Sequence, residues 1–167
     1  MLLAVAASTA CGYSLAGRGT FLPDYIRVVA IPQIENRTSF VRVERALTDR
    51  IRNEFIGRSR YTVVTDPAGA DAVLRGVITG FSVQPARFND QQQASRYQFT
   101  LTLQVTFEDL RANEVLWSSD ALTFRDEYEL SSGLVEGASF VDQQGSSYER
   151  MAADAARTVV TAIVEAF

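Results

Sequence analysis

Tyr97-Gln98-Phe99-Thr100-Leu101-Thr102-Leu103-Gln104-Val105-Thr106-Phe107-Glu108 alternates an apolar or aromatic residue with a polar one at every step. Successive side chains of a strand point to opposite faces, so twelve residues of this pattern predict a long strand with one packed face and one polar face. Downstream, Asp109 to Glu114, containing Asn113, is a hairpin connection into Val115-Leu116-Trp117 and on toward Leu122-Thr123-Phe124-Arg125. Upstream, Ala72 to Val83 favours strand. Gly76 and Gly80 interrupt its side-chain rows and leave room, beside Leu74 and Ile78, for the close approach of a helix. These three strands are expected to form an antiparallel meander.

The elements that cover the packed face lie on either side. Ile26-Arg27-Val28-Val29-Ala30-Ile31-Pro32 is a β-branched run closed by a proline, so a first strand ends there. After the turn and N-cap residues Asn36-Arg37-Thr38-Ser39, Phe40, Val43, Leu47, Ile51 and Phe55 recur at three- and four-residue steps, which predicts an amphipathic helix. It should end near Ile56, with Gly57 in a left-handed terminal position. Tyr61-Thr62-Val63-Val64-Thr65 is a short strand stopped by Asp66-Pro67, and strand, helix, strand at this spacing implies a right-handed parallel crossover. Glu129 to Gly145, rich in Ser, Gly and Gln, is expected to be a long loop, disordered or in contact with a partner. Ser146 and Glu149 form a capping box that opens a final helix, with Tyr148, Ala152, Ala155, Val159, Ala162 and Ala166 on one stripe. The predicted fold class is α+β: two helices packed on one face of a mixed, mainly antiparallel sheet of four to five strands, in the order βαββββα. One domain is expected over residues 26–167.

Composition narrows the function. The chain has 167 residues, 16 arginines, no lysine, no histidine and a net charge of −4. Absence of histidine removes the commonest general base and transition-metal ligand, which argues against an enzyme; no catalytic residue, metal site or cofactor is assigned. Ser, Thr and Tyr hydroxyls have neither His nor Lys to activate them. An acidic balance disfavours nucleic acid as a partner. Asp126, Glu127 and Glu129 lie close together but lack the glycine-punctuated loop of a calcium site, so they read as a solvated strand end. Trp117, Tyr97 and Phe99 read as cross-strand core pairs rather than as a recognition patch.

Cys11 is the one cysteine, so no disulfide within the chain can form. It follows the short apolar stretch Met1–Ala7 and Ser8-Thr9-Ala10, of which Thr9 and Ala10 suit a lipoprotein signal peptidase while Ser8 stands where a Leu-like residue is usual, and is the candidate lipidation site, the alternative being a buried free cysteine. The apolar stretch is short for an export signal, so residues 1–10 read as a truncated signal segment whose true start codon lies upstream. Residues 11–25, with three glycines and a proline, read as a lipidated tether. No apolar run approaches the roughly 20 residues of a spanning helix.

Four stretches of the sequence resemble the lipopolysaccharide-assembly lipoproteins called LptE: Cys11-Gly12-Tyr13-Ser14-Leu15, Val29-Ala30-Ile31-Pro32 with Asn36-Arg37-Thr38, the helix from Glu44 to Phe55, and Ala70 to Ile78. Their order and spacing carry the likeness, which covers nearly the whole chain after Cys11. The resemblance implies a lipid-anchored domain at the periplasmic face of the cell outer membrane, lodged in the lumen of the large β-barrel protein LptD. There it would assist barrel assembly and delivery of lipopolysaccharide to the outer leaflet. A barrel lumen is polar, so the polar strand face from Gln98 to Glu108, with Gln84 and Gln91-Gln92-Gln93 near one end, would suit its wall. Lipopolysaccharide presents phosphates and acyl chains, and Arg87, Phe88 and Arg96, flanking the turn between the two long strands, are the candidate contacts. This turn matches the family's basic lipopolysaccharide-contacting loop, although the exact basic position is not recovered and Asp90 dilutes the local charge. The alternative reading is a periplasmic lipoprotein that regulates peptidoglycan synthases or forms part of a secretion pore, where a similar Ala-Ile-Pro, Asn-x-Thr opening precedes a related domain.

Overall fold

The computed structural model describes residues 22–58, 60–90, 92–129 and 138–165, with the side chains of 128, 129 and 138–147 outside the description. Cys11, the signal segment and the tether up to residue 21 therefore lie outside the described residues. Eight elements follow in chain order: β1 (Val28–Ala30), β2 (Glu35–Asn36), α1 (Val43–Gly57), β3 (Thr62–Val64), β4 (Ala72–Phe88), β5 (Ala94–Asp109), β6 (Glu114–Glu129) and α2 (Ala138–Glu165). They build the α+β architecture read from the sequence, with one strand more than expected. The sheet order is β3-β1-β4-β5-β6, and β2 pairs with β4 off this path.

Parallel pairing joins β1 to β3 (Val29 with Val63) and β1 to β4 (Val29 with Ala72), so the crossover through α1 is present. β4, β5 and β6 form the antiparallel meander, which is longer than the apolar runs suggest. β4 continues through Pro85 to Phe88, because a register irregularity between Pro85 and Arg87 absorbs the missing donor. Alternation decides the faces. Phe99, Leu101, Leu103, Val105 and Phe107 are at most 1% exposed, while the polar residues between them are only half-buried.

Both helices lie on that apolar face. α1 places Val43, Leu47, Ile51 and Phe55 in the core, all at most 2% exposed. α2 buries Met151, Ala152, Ala155, Ala156, Val159, Val160, Ile163 and Val164, a broader stripe than expected. Its alanines let the backbone come close to the sheet. Burying one large side chain contributes about 1.5–3 kcal/mol, so these stripes, rather than helix propensity, hold the layers together. Arg50–Glu149 (2.7 Å), Arg58 to the Thr161 hydroxyl (2.8 Å) and Arg150–Asp126 (3.0 Å) fix the rim.

Four local expectations are corrected. α1 begins at Val43 rather than at Phe40, because the Asn36 side chain donates to the Phe40 carbonyl (2.6 Å) and to Glu44 (2.8 Å), holding the preceding loop closed. Arg42 caps the helix in a left-handed conformation (φ 80°) with no side-chain cap bond. Gly57 is the last helical residue, followed by a right-handed Arg58, so no left-handed glycine ends α1. Gly76 makes room for the Ile34 side chain of the segment before β2, not for a helix. Finally, residues 138–145 are helical and Ser146 sits inside α2, so the loop ends earlier than its composition suggests; residues 130–137 lie outside the described residues. A glycine such as Gly145 costs only about 1 kcal/mol inside a helix, which a long helix packed on a core tolerates.

Candidate interaction surfaces

The two ends of the sheet carry different chemistry. At the end where the chain enters the fold, Leu22 and Ile26 are already core residues, and Tyr25 between them donates its hydroxyl to Asp109 at the end of β5. Asp71, just before β4, accepts from the backbone N–H groups of Arg27 and Val28, both at 2.9 Å, and is ion-paired to Arg111. The Arg111 guanidinium lies 5.6 Å from the centre of the Tyr25 ring. Backbone hydrogen bonds from Val28 and Arg27 hold the Asp71 carboxyl below the usual carboxylate range. Burial pushes the Asp109 carboxyl up, but the Tyr25 hydroxyl and the N–H groups of Ala112 and Arg111 outweigh it, and the net direction is down. The bond to Asp109 raises the Tyr25 hydroxyl in turn. This cluster fastens the incoming chain to the β5–β6 turn. Sequence reasoning missed it, although two aspartates at strand boundaries, Asp71 and Asp109, were its available signal.

The opposite end is the β4–β5 hairpin tip. Its turn is closed by the Asn89 side chain, which accepts from the Gln93 N–H at 2.9 Å, and by Gln92 at φ 60°. Arg87 and Arg96 are register partners across the hairpin, so the structure brings these two candidates together. Cross-strand partners share a face. Arg96 reaches the Glu127 carboxylate at 3.3 Å, diagonally across to β6, while Arg87 is exposed and has no ion pair among the described residues. Phe88 is 58% exposed beside them. The tip thus brings together two guanidinium groups and an exposed ring, with Glu127 on Arg96 and the exposed Asp90 in the turn. Like charges set opposite one another are unfavourable, and an anion between them would relieve that.

Between these ends, the face away from the helices is polar. Thr100, Thr102, Gln104 and Thr106 of β5 alternate with the core residues, and Thr123 of β6 pairs with Thr102. Charge pairs stand toward its limits, Arg75 with Glu108 (2.6 Å) and Arg96 with Glu127. Asp126 and Glu127 project to opposite faces, the first to Arg150 of α2 and the second to Arg96, so the acidic run does not converge. Among the described residues no group of three or more His, Cys, Asp or Glu side chains is placed to hold a metal ion. Phe99 is buried, and Tyr97 and Trp117 pack against the core, with Trp117 opposite Phe107. They form no exposed aromatic patch.

The sequence model of the family LptE, described as lipopolysaccharide-assembly, matches residues 26–163. This chain belongs to that family. Solved structures with the same fold include an uncharacterised lipoprotein B from Nitrosomonas europaea (13% identity, TM-score 0.60, covering 92% of this chain and 90% of that one). The rare lipoprotein B from Shewanella oneidensis matches at 12% identity and a TM-score of 0.52, covering 82% and 93% of the two chains. A minor lipoprotein from Acinetobacter baumannii matches at 13% identity and 0.51, covering 84% and 91%. At these identities the likeness shows the fold alone. No curated protein sequence matches this member of the family. No helix among the described residues is long and apolar enough to cross a membrane.

Proposed function

We propose that this LptE-family chain is a lipid-anchored outer-membrane protein that lodges in the lumen of the lipopolysaccharide-export barrel LptD, assists its assembly and helps deliver lipopolysaccharide to the outer leaflet. Cys11 is the acylated residue in this reading. The observation that carries it is the polar, helix-free face of the sheet. Barrel strands turn polar residues inward, and the uncharged Thr and Gln side chains of β5 can exchange hydrogen bonds with such a wall, while Arg125, opposite Thr100 on the same face, would need an acidic partner there. At the hairpin tip, Arg87 and Arg96 would grip phosphate groups while Phe88 meets acyl chain.

No residue is assigned a catalytic role; the chain acts by binding. Tagged protein isolated from solubilised outer membrane should bring a large β-barrel with it, and depletion should reduce surface lipopolysaccharide. Recovery of the tagged chain without any barrel, or depletion that alters cell-wall crosslinking while surface lipopolysaccharide stays normal, would overturn the reading in favour of a peptidoglycan-directed lipoprotein.

A further inference from the structure

The sheet has two outer edges of unequal character. One is made by the three-residue β3, the two-residue β2 and, beyond Ile78, the outer side of β4, which is broken by register irregularities at Ile78/Gly80, Pro85/Arg87 and Arg87/Phe88 and by Pro85, which has no N–H to donate. β6 has 16 residues and, among the described residues, is hydrogen-bonded to β5 alone. Its outer side therefore presents N–H and C=O groups with no strand partner among the described residues, the Glu127 N–H being held locally by the Asp126 carboxylate at 2.9 Å, and such an edge is a template for strand addition that proteins usually blunt with bulges or charges. Bulges are present on only half of it. The β5–β6 register skips between Leu103 and Val105 and between Phe107 and Glu108, both toward the turn. From Leu122 to Glu129, eight consecutive residues pair without interruption.

We propose that two copies of this chain associate by antiparallel pairing of this regular half of β6, about a two-fold axis at Asp126. An axis normal to the sheet keeps every side chain on its own face, so it must pass through a residue position and not between two. At Arg125 the axis would set opposite each other two guanidinium groups that are unpaired among the described residues, at Glu127 it would pair only residues 125–129 of the strand against 123–129 for Asp126, and at Phe124 it would face Thr123 with Arg125 and Leu122 with Asp126. At Asp126, Arg125 faces Glu127 of the second copy, twice by symmetry. The two Asp126 carboxylates also meet, but each is neutralised by its own Arg150 at 3.0 Å. Arg125 is exposed and has no ion pair among the described residues, so it is available. The Glu127 oxygens, one on Arg96 at 3.3 Å and one near the Gln98 amide at 3.4 Å, keep lone pairs to accept it. Backbone bonds supply most of the affinity, and the two charge pairs choose the register. This association does not depend on the barrel reading, since it is a property of the free chain.

Sedimentation of the full chain carrying Cys11→Ala, which is unacylated and has no other thiol, tests it. A monomer–dimer equilibrium is expected, weakened about tenfold by Arg125→Glu, as two exposed attractive pairs become repulsive. For the register, Arg125→Cys and Glu127→Cys are made separately in the same background. Cross-strand Cβ atoms lie about 4.5–5.5 Å apart, near disulfide range, so an equimolar mixture should oxidise to a linked dimer while each variant alone does not. Far-UV circular dichroism verifies that each variant is folded. A chain that stays monomeric at every concentration, an association indifferent to Arg125→Glu, or self-crosslinking of either single-cysteine variant as efficient as the mixture would each overturn the proposal.

Discussion

Gly76→Ala is the sharpest probe of how the sheet and the β2 segment fit together. A Cβ at this position would stand 3.1 Å from Ile34 Cγ1, 3.3 Å from Cδ1 and 3.5 Å from Cγ2. Carbon atoms prefer about 3.5–4.0 Å, so two of the three contacts are repulsive. Ile34 has little freedom to retreat: it is 2% exposed, and its backbone N–H is held by the Thr48 hydroxyl at 3.1 Å. Overpacking of this kind costs about 1–3 kcal/mol. Removing the conformational freedom of a strand glycine returns about 0.5–1 kcal/mol. The net expectation is destabilisation by about 1–2 kcal/mol, read as a lower urea midpoint at unchanged m-value by Trp117 fluorescence. Ile34→Ala alone should cost about 2–5 kcal/mol through the void it leaves, and Gly76→Ala should fill part of that void. The double variant should therefore be more stable than the sum of the singles by about 1–2 kcal/mol. A neutral or stabilising Gly76→Ala, or strict additivity, would refute the wedge.

The Tyr61 hydroxyl is buried without a hydrogen-bond partner among the described residues, and burial raises its pKa; Tyr61→Phe should stabilise the fold by about 1 kcal/mol in thermal unfolding, and a loss would show that the hydroxyl is satisfied in solution. Asp71→Asn removes an ionised acceptor of two strand N–H groups and should cost about 1–3 kcal/mol at neutral pH. Because the folded Asp71 pKa is depressed, its contribution is complete above the unfolded carboxylate value and is lost as pH falls through the folded one, so acid denaturation of Asp71→Asn should be less steep; identical acid limbs would remove Asp71 from the clamp. Replacing both Arg87 and Arg96 by Ala should weaken lipopolysaccharide binding, with the lost part being the salt-sensitive part, and unchanged binding would take the tip out of the site. Cys11→Ala should abolish palmitate labelling, and retained label would disprove the anchor.

What the sequence made legible was whatever it encodes locally. The alternation from Tyr97 to Glu108 needs no distant information, since the period of a strand is written in the strand itself, and the four-residue steps from Val43 to Phe55 do the same for α1. Boundaries failed where a side chain outside the element decides them. Asn36 delays α1 by holding Phe40 and Glu44, and nothing in the local periodicity reports it. Residues 138–145 look like loop because Gly145 and Ser146 resemble a helix start, whereas a helix spanning the sheet can carry both. β2, two residues long, has no period to detect. The same division holds at the functional surfaces. Arg87 and Arg96 flank a hairpin turn and so could be placed together from spacing alone, but the Glu127 that restrains one of them belongs to the next strand. The contact of Tyr25 with Asp109 spans 84 positions, beyond any local pattern.

Charge placement on the polar face bears on what that face can touch. Taking a charge out of water is expensive unless a partner travels with it, whereas a hydroxyl or amide can exchange a water for another polar group at little net cost. On this sheet the row through Thr102, from Gly80 to Thr123, is uncharged, and charges stand on either side of it: Arg125 opposite Thr100, Arg75 opposite Thr106 and paired with Glu108, and Arg96 with Glu127 farther out. Contact between that middle band and a second polar surface would exclude water from groups that tolerate it and leave the ion pairs at a wet rim, where they align the partners and cost little. The Tyr25–Asp109 and Asp71–Arg111 contacts then have a mechanical meaning. They fix the segment from Leu22 to Arg27 to the end of the sheet at which β5 turns into β6.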